Sequence, residues 1–141
     1  MRMEKTTLSF STVSTRIREI EYPEVDLVIG IAKGGIVPAS LVAFHLGLAM
    51  EIIQLNYRDE ENIPRFDSPE ILKNLETSVS GMRILLVDDV CVSGKTLEFA
   101  RELLDDCVVH TFVMKGNAEI SVFPEISNCV NWPWNDFAEK H

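Results

Sequence analysis

The sequence predicts an α/β fold, and two stretches carry most of that prediction. Each reads as a short apolar strand, then a glycine-containing loop, then a helix with a repeating apolar face. The first is residues 26–46, with Ala32-Lys33-Gly34-Gly35 between strand and helix. The second is residues 83–104, with Asp88-Asp89-Val90-Cys91-Val92-Ser93-Gly94-Lys95-Thr96 in the middle. A third observation agrees with them. The four residues Ile84, Leu85, Leu86 and Val87 are all apolar, as expected of a strand covered on both faces by helices.

In chain order, residues 9–20 read as a first helix. Ser11 or Thr12 is a plausible cap, Val13, Ile17 and Ile20 share a face, and Tyr22-Pro23 ends it. Residues 26–31 form a strand. The helix that follows runs from about Ile36 to Leu46, tolerates Pro38 in its first turn and closes at Gly47. His45 on this helix reads as a packing or surface residue. Residues 51–56 read as another strand. Residues 57–74 are charged, contain two prolines and have little period; such a stretch is functional or disordered. Arg58 and Arg65 are its arginines. Residues 84–87 are the next strand, with Asp88 and Asp89 placed where it should end. Leu97, Ala100 and Leu104 keep a helical period after the loop. Residues 107–114 form a further strand ending at Lys115, with His110 structural. Residues 120–128 look irregular, and Val130-Asn131-Trp132-Pro133-Trp134 follows.

Composition narrows the class. At 141 residues the chain is expected to be one domain, residues 1–141, with a single good core. It is 46% hydrophobic and 25% charged, ordinary values for a soluble protein, and no run approaches the length of a membrane span. The first nine residues lack an apolar signal core, and the three cysteines are scattered without metal spacing. Free thiols in a reducing cytoplasm are therefore expected. A net charge of −9 argues against non-specific nucleic-acid binding. An anionic ligand must be drawn in by local donors and Mg²⁺. There is no internal repeat, low-complexity tract or linker.

The second loop carries the most chemistry. A strand that gives way through a short loop to a helix N-terminus offers free amides and the positive end of a dipole to a phosphate. Ser93 and Thr96 add hydroxyl donors, and Gly94 allows close backbone approach. Ser93-Gly94-Lys95-Thr96 is half of a nucleoside-triphosphate loop motif. The other half requires glycine where this chain has Asp89, so that reading fails. Paired carboxylates accept from vicinal hydroxyls and gather Mg²⁺, so a phosphate beside a diol, a ribose 5-phosphate, fits better.

Residues 85–97, Leu-Leu-Val-Asp-Asp-Val-Cys-Val-Ser-Gly-Lys-Thr-Leu, resemble the phosphoribosyl-pyrophosphate signature of type I phosphoribosyltransferases, nearest to the bacterial xanthine-guanine and hypoxanthine members. The resemblance spans Asp26 to Trp134. It implies about five parallel strands flanked by helices, with a small hood formed from the chain ends. It implies 5-phosphate binding on Val90, Cys91, Val92, Ser93, Gly94, Lys95 and Thr96, and pyrophosphate binding on Lys33, Gly34 and Gly35. Asp88 and Asp89 hold the ribose, with Asp89 also near Mg²⁺. The 57–74 stretch takes the place of the family's mobile catalytic loop, with Arg65 preferred to Arg58 as its cation. Lys115, Val130 and Trp132 fall on the base side, with core or interface packing the alternative for both tryptophans, and Pro133-Trp134 matches a closing motif. The implied reaction transfers ribose 5-phosphate from phosphoribosyl pyrophosphate to a nucleobase, a 6-oxopurine first, in a homodimer or larger assembly. Two positions depart from the purine pattern. Val92 stands where many purine members have an aspartate, and Cys129 or its neighbour where they have a stacking aromatic. A pyrimidine or other acceptor, or a non-catalytic sensor of the same ligand, is the alternative.

Overall fold

The computed structural model describes residues 5–56, 70–73, 78–91 and 94–135. In chain order the elements are β1 (Thr6–Thr7), α1 (Phe10–Glu19), β2 (Leu27–Ala32), α2 (Ile36–Leu46), β3 (Met50–Asn56), β4 (Glu70–Lys73), β5 (Arg83–Cys91), α3 (Lys95–Leu103), β6 (Val108–Gly116), β7 (Ile120–Ser121) and β8 (Val130–Asn131). Six strands form one sheet in the order β4-β3-β2-β5-β6-β7. Five of them are parallel; β4 runs antiparallel on the edge.

The sheet sorts its apolar residues by alternation. Val28, Leu85, Val87, Phe112 and Met114 face a layer that includes Val13 and Ile17 of α1 and Ala39 and Val42 of α2. Leu27, Ile29, Ile84, Leu86 and Val113 face the other layer, with Leu97 and Ala100 of α3. Helices on both faces explain why β2 and β5 are apolar without a polar side. At the start of these two strands, the Arg83 guanidinium grips both oxygens of Asp26, at 2.8 and 3.1 Å, and backbone bonds join the same two residues. That partner holds Asp26 down to about 2.

The chain ends meet as expected for a hood. β1 pairs in parallel with β8, Thr6 opposite Val130 and Thr7 opposite Asn131. Several boundaries differ from expectation. Ser9, not Ser11 or Thr12, caps α1, its hydroxyl accepting from the Thr12 amide at 3.1 Å. The strand over residues 84–87 continues to Cys91, because β6 supplies partners that far. Residues 70–73, read as part of an irregular stretch, form β4. Residues 120–128, also read as irregular, supply β7, the fifth parallel strand; two residues are too short to show a period.

Trp132 corrects another expectation. It is 2% exposed, its ring lies 5.4 Å from that of Trp134 at an interplanar angle of 2°, and Phe123 packs against it. Its surface is spent on the core, which leaves no face for a base. Val130 is half-buried and holds β1. Trp132→Ala should cost about 3–5 kcal/mol of stability in urea unfolding. Unchanged stability with weakened base binding would instead return Trp132 to the site.

Candidate functional site

The site follows from how the ladder between β2 and β5 ends. The two strands are neighbours from Leu27 and Ile84 to Gly30 and Val87, and no farther. Beyond that point β2 stays with β3 as far as Ala32 and Gln54, while β5 stays with β6 as far as Cys91 and Gly116. The sheet forks at its carboxyl edge. The chain also reverses its direction of travel here, adding β3 on one side of β2 and β6 on the far side of β5. Open α/β sheets bind ligands at this kind of switch point.

Two loops enter the fork. From β2 comes Lys33-Gly34-Gly35, with a cis peptide between Ala32 and Lys33. Lys33 is exposed and Gly35 caps α2. A methyl group on Gly34 would collide with the Asp89 carboxylate, and one on Gly35 would come within 2.7 Å of the Ile31 carbonyl and meet that of Val87. Glycine is required at both places because β5 leaves no room for more. From β5 come Asp88 and Asp89, which lie inside the strand's carboxyl end, not beyond it. The Asp89 amide donates to Asp88 Oδ1 and the Val90 amide to Asp89 Oδ1, each at 2.8 Å.

Asp88 is mostly buried, and the Asp89 charge stands beside it. Burial first, and that charge second, push its carboxyl well above the usual carboxylate range, to about 8. A divalent cation or a row of hydroxyl donors would offset the repulsion between the two carboxyl groups.

The remaining expected residues separate into three groups. Gly94 caps α3 at φ +81° without a side-chain bond, with Lys95 exposed and Thr96 half-buried in the first turn, a helix start of the kind that suits a phosphate. Val90 and Cys91 belong to β5 instead of the loop, since they pair with Lys115 and Gly116. Val90 packs on one core layer and Cys91 on the other. Lys115 is half-buried at the end of β6, next to Val90. Val92, Ser93, Arg58 and Arg65 lie outside the described residues. A cavity of about 600 Å³ adjoins the phosphate loop on the α3 side and is lined by Cys91, Gly94, Leu97, Arg101, Thr111 and Asn117. Glu98, Glu102 and Glu119 also line it, but Asp88 and Asp89 do not.

Gly116, beside the candidate site, was missed by the sequence reading. At φ +114° it lies so close to the Cys91 backbone that a side chain would overlap it. It therefore holds the Lys115 turn against the end of β5. A glycine following a strand-end lysine is the one sequence signal that points to it.

Two outcomes follow from this geometry. The fold keeps Asp88 protonated to higher pH than the unfolded chain does, so the folded state holds the extra proton between about pH 4 and about pH 8, and stability falls as pH rises through that window. Asp88→Asn mimics the protonated form. It should raise Tm at pH 8 by roughly 2–5 °C and leave it unchanged at pH 4; equal shifts at both values would show that burial of the charge is not the cause. Gly34→Ala should destabilise by about 1–3 kcal/mol. Adding Asp89→Ala should recover most of that loss in a double-mutant cycle, whereas strict additivity would show that the two residues do not compete for space.

The family profile for the phosphoribosyl transferase domain matches residues 13–115. Among curated proteins, the chain is 35% identical over 94 residues to the orotate phosphoribosyltransferase of Sulfurisphaera tokodaii, covering 67% of this chain and 44% of that one. It is 39% identical over 80 residues to the xanthine-guanine phosphoribosyltransferase of Cereibacter sphaeroides, covering 54% and 46%. The chain thus spans less than half the length of these two relatives. The purine phosphoribosyltransferase of Pyrococcus horikoshii superimposes with a TM-score of 0.70 at 24% identity, over 92% of this chain and 93% of that one. The forked sheet, the two loops in it and the matched residues agree: the chain belongs to the phosphoribosyltransferase family and has its type I fold.

Proposed function

We propose that the chain transfers ribose 5-phosphate from phosphoribosyl pyrophosphate to a 6-oxopurine base, releasing pyrophosphate. The observation that carries this reading is the close contact of Gly34 with Asp89. It puts an amide-lined loop and a carboxylate pair on opposite walls of one narrow fork. A phosphorylated sugar joined to a pyrophosphate presents a diol and an anion in one molecule, as two such walls require.

Each residue then has a part. The open start of α3, with Gly94 and Thr96, holds the 5-phosphate. Asp88 and Asp89 accept from the ribose hydroxyls. Lys33 and the Gly34 amide hold the pyrophosphate from the other wall, Gly35 lets the loop approach while its own amide donates to the Ile31 carbonyl, and Arg65 supplies a further cation. Breaking the C1–O bond leaves positive charge on the ribose and negative charge on the leaving group. Fixed donors stabilise that separation without a covalent nucleophile. A ring nitrogen of the base forms the new bond to C1, and Lys115, beside the phosphate strand, donates to the exocyclic oxygen of the base.

The carboxylate pair also fits Mg²⁺. It offers adjacent hard oxygen donors whose mutual repulsion a cation would neutralise. No group of three or more His, Cys, Asp or Glu able to hold a metal occurs among the described residues. Asp89, with the substrate's own oxygens, would therefore hold the ion, in the manner usual for Mg²⁺. When bound, Mg²⁺ supplies charge neutralisation on the departing pyrophosphate. The unpaired thiols Cys91, Cys107 and Cys129 fit a cytoplasmic protein, and no helix among the described residues is long and apolar enough to cross a membrane. The working unit is a homodimer.

A second acceptor class has its own support. Val92 leaves the base side without a carboxylate for proton transfer, and one relative, 35% identical over 94 residues, is an orotate enzyme. Pyrophosphate release from Mg²⁺-phosphoribosyl pyrophosphate, with hypoxanthine, guanine, xanthine, adenine, uracil and orotate offered one at a time, separates the two. Release with 6-oxopurines is expected. Lys115→Ala should lower kcat/KM for the base by roughly 10–100-fold, the worth of a charge-assisted hydrogen bond. Release with orotate alone would move the assignment to a pyrimidine. Binding of the sugar ligand that depends on Asp88 and Asp89, without release for any base, would make the protein a sensor.

A further inference from the structure

Thr111 is the one polar or charged side chain fully buried among the described residues, at 6% exposed. It stands in β6 directly before the apolar run Phe112-Val113-Met114. A buried hydroxyl needs a partner, and the Glu119 amide supplies one by donating to Thr111 Oγ1 at 3.0 Å. The Glu119 carboxylate in turn accepts from His110 Nδ1 at 2.7 Å. Two consecutive residues of β6 thus hold one residue of the connection that leads to β7.

That connection is short for its topology. β6 and β7 are parallel, with Phe112 opposite Ile120 and Val113 opposite Ser121. Parallel neighbours ordinarily need a crossover of about a dozen residues or more. Here only residues 117–119 lie between the two strands. β6 climbs about 13 Å from Phe112 to Gly116. The four residues from Asn117 to Ile120 reach back about 13–14 Å when extended. The return therefore has little slack. It starts at Gly116, which has no room to move toward Cys91, and it is pinned at Glu119. Beside it lies the cavity of about 600 Å³, which Asn117, Ala118 and Glu119 line. A return segment released from its pin has open space to enter, and Lys115 lies directly upstream of Gly116, where that segment begins.

We propose that Thr111, assisted by His110, is a positioning residue for the base subsite. By pinning Glu119 it keeps the return segment drawn back along β6 and so fixes the backbone from which Lys115 starts. This inference rests on Lys115 meeting the base, as in the proposed reaction. The lysine stem is long and flexible, so its reach is set by where the backbone places it. Pairing with Val90 holds Lys115 across the sheet, and the pinned return holds it along the chain. Thr111 acts through this turn and not by contact with the base.

The test is steady-state pyrophosphate release with the base that supports it, varying base and phosphoribosyl pyrophosphate in turn. Thr111→Val should raise KM for the base roughly tenfold and leave KM for phosphoribosyl pyrophosphate unchanged. Thr111→Ser, which keeps the hydroxyl, should restore the wild-type value. In a Lys115→Ala background Thr111→Val should cost nothing further, because its effect passes through that lysine. Leu104→Ala, in the core layer under α3, should lower stability and leave both KM values alone. His110→Ala should act as a weaker Thr111→Val, and it serves if Thr111→Val fails to fold. Equal changes in both KM values, no recovery in Thr111→Ser, or full additivity with Lys115→Ala would overturn the inference. The wild-type chain is assayed first. No release with any base overturns the proposed reaction and this inference with it, whereas wild-type release with unchanged kinetics in Thr111→Val overturns the inference alone.

Discussion

No side chain fits between the 33–35 loop and the end of β5, and the arrangement of the site depends on that exclusion. The loop approaches until Gly34 lies against the Asp89 carboxylate and Gly35 against the Val87 carbonyl. The approach brings backbone donors from β2 opposite carboxylates from β5. It also fixes where α2 begins, since Gly35 is its cap. Glycine here serves proximity; neither residue adopts a left-handed conformation. A larger residue would not merely strain the loop but would push the two walls of the site apart.

Much of this was legible before any coordinates. The two strand–loop–helix units, the apolar central strands and the placement of Asp88, Asp89, Lys33 and the glycines all follow from local patterns, because the chemistry of each loop is contained in a few consecutive residues. What could not be read depends on partners distant in sequence. β5 outlasts its apolar run because β6 offers backbone partners up to Gly116. β7 is only two residues long and exists through Val113. Trp132 and Trp134 stack in the core because the hood folds back onto Phe123, a contact that no spacing rule predicts. The aromatic run was visible, but its direction was not.

The base side is where sequence and structure say least in common. Lys115 is placed beside the phosphate strand by register, and Gly116 explains how its turn is held there. Trp132 is taken by the core, and Val130 by β1. The carboxylate commonly found in the phosphate loop is replaced by Val92. In the proposed reaction the ribose and phosphate side rests on several converging groups, and base recognition on the Lys115 turn. The two relatives differ in the bases their names carry.

The fork has a mechanical meaning as well. Its two walls belong to different halves of the sheet, β4-β3-β2 and β5-β6-β7, which are tied at the far end where Arg83 grips Asp26. In the proposed reaction the leaving group is held by one half, and the sugar and base by the other. The bond that breaks therefore spans the seam. Sheet twist, ordinarily a passive property of a fold, would then bear on the distance between the separating fragments, with the ladder from Leu27 and Ile84 to Gly30 and Val87 holding the two halves together.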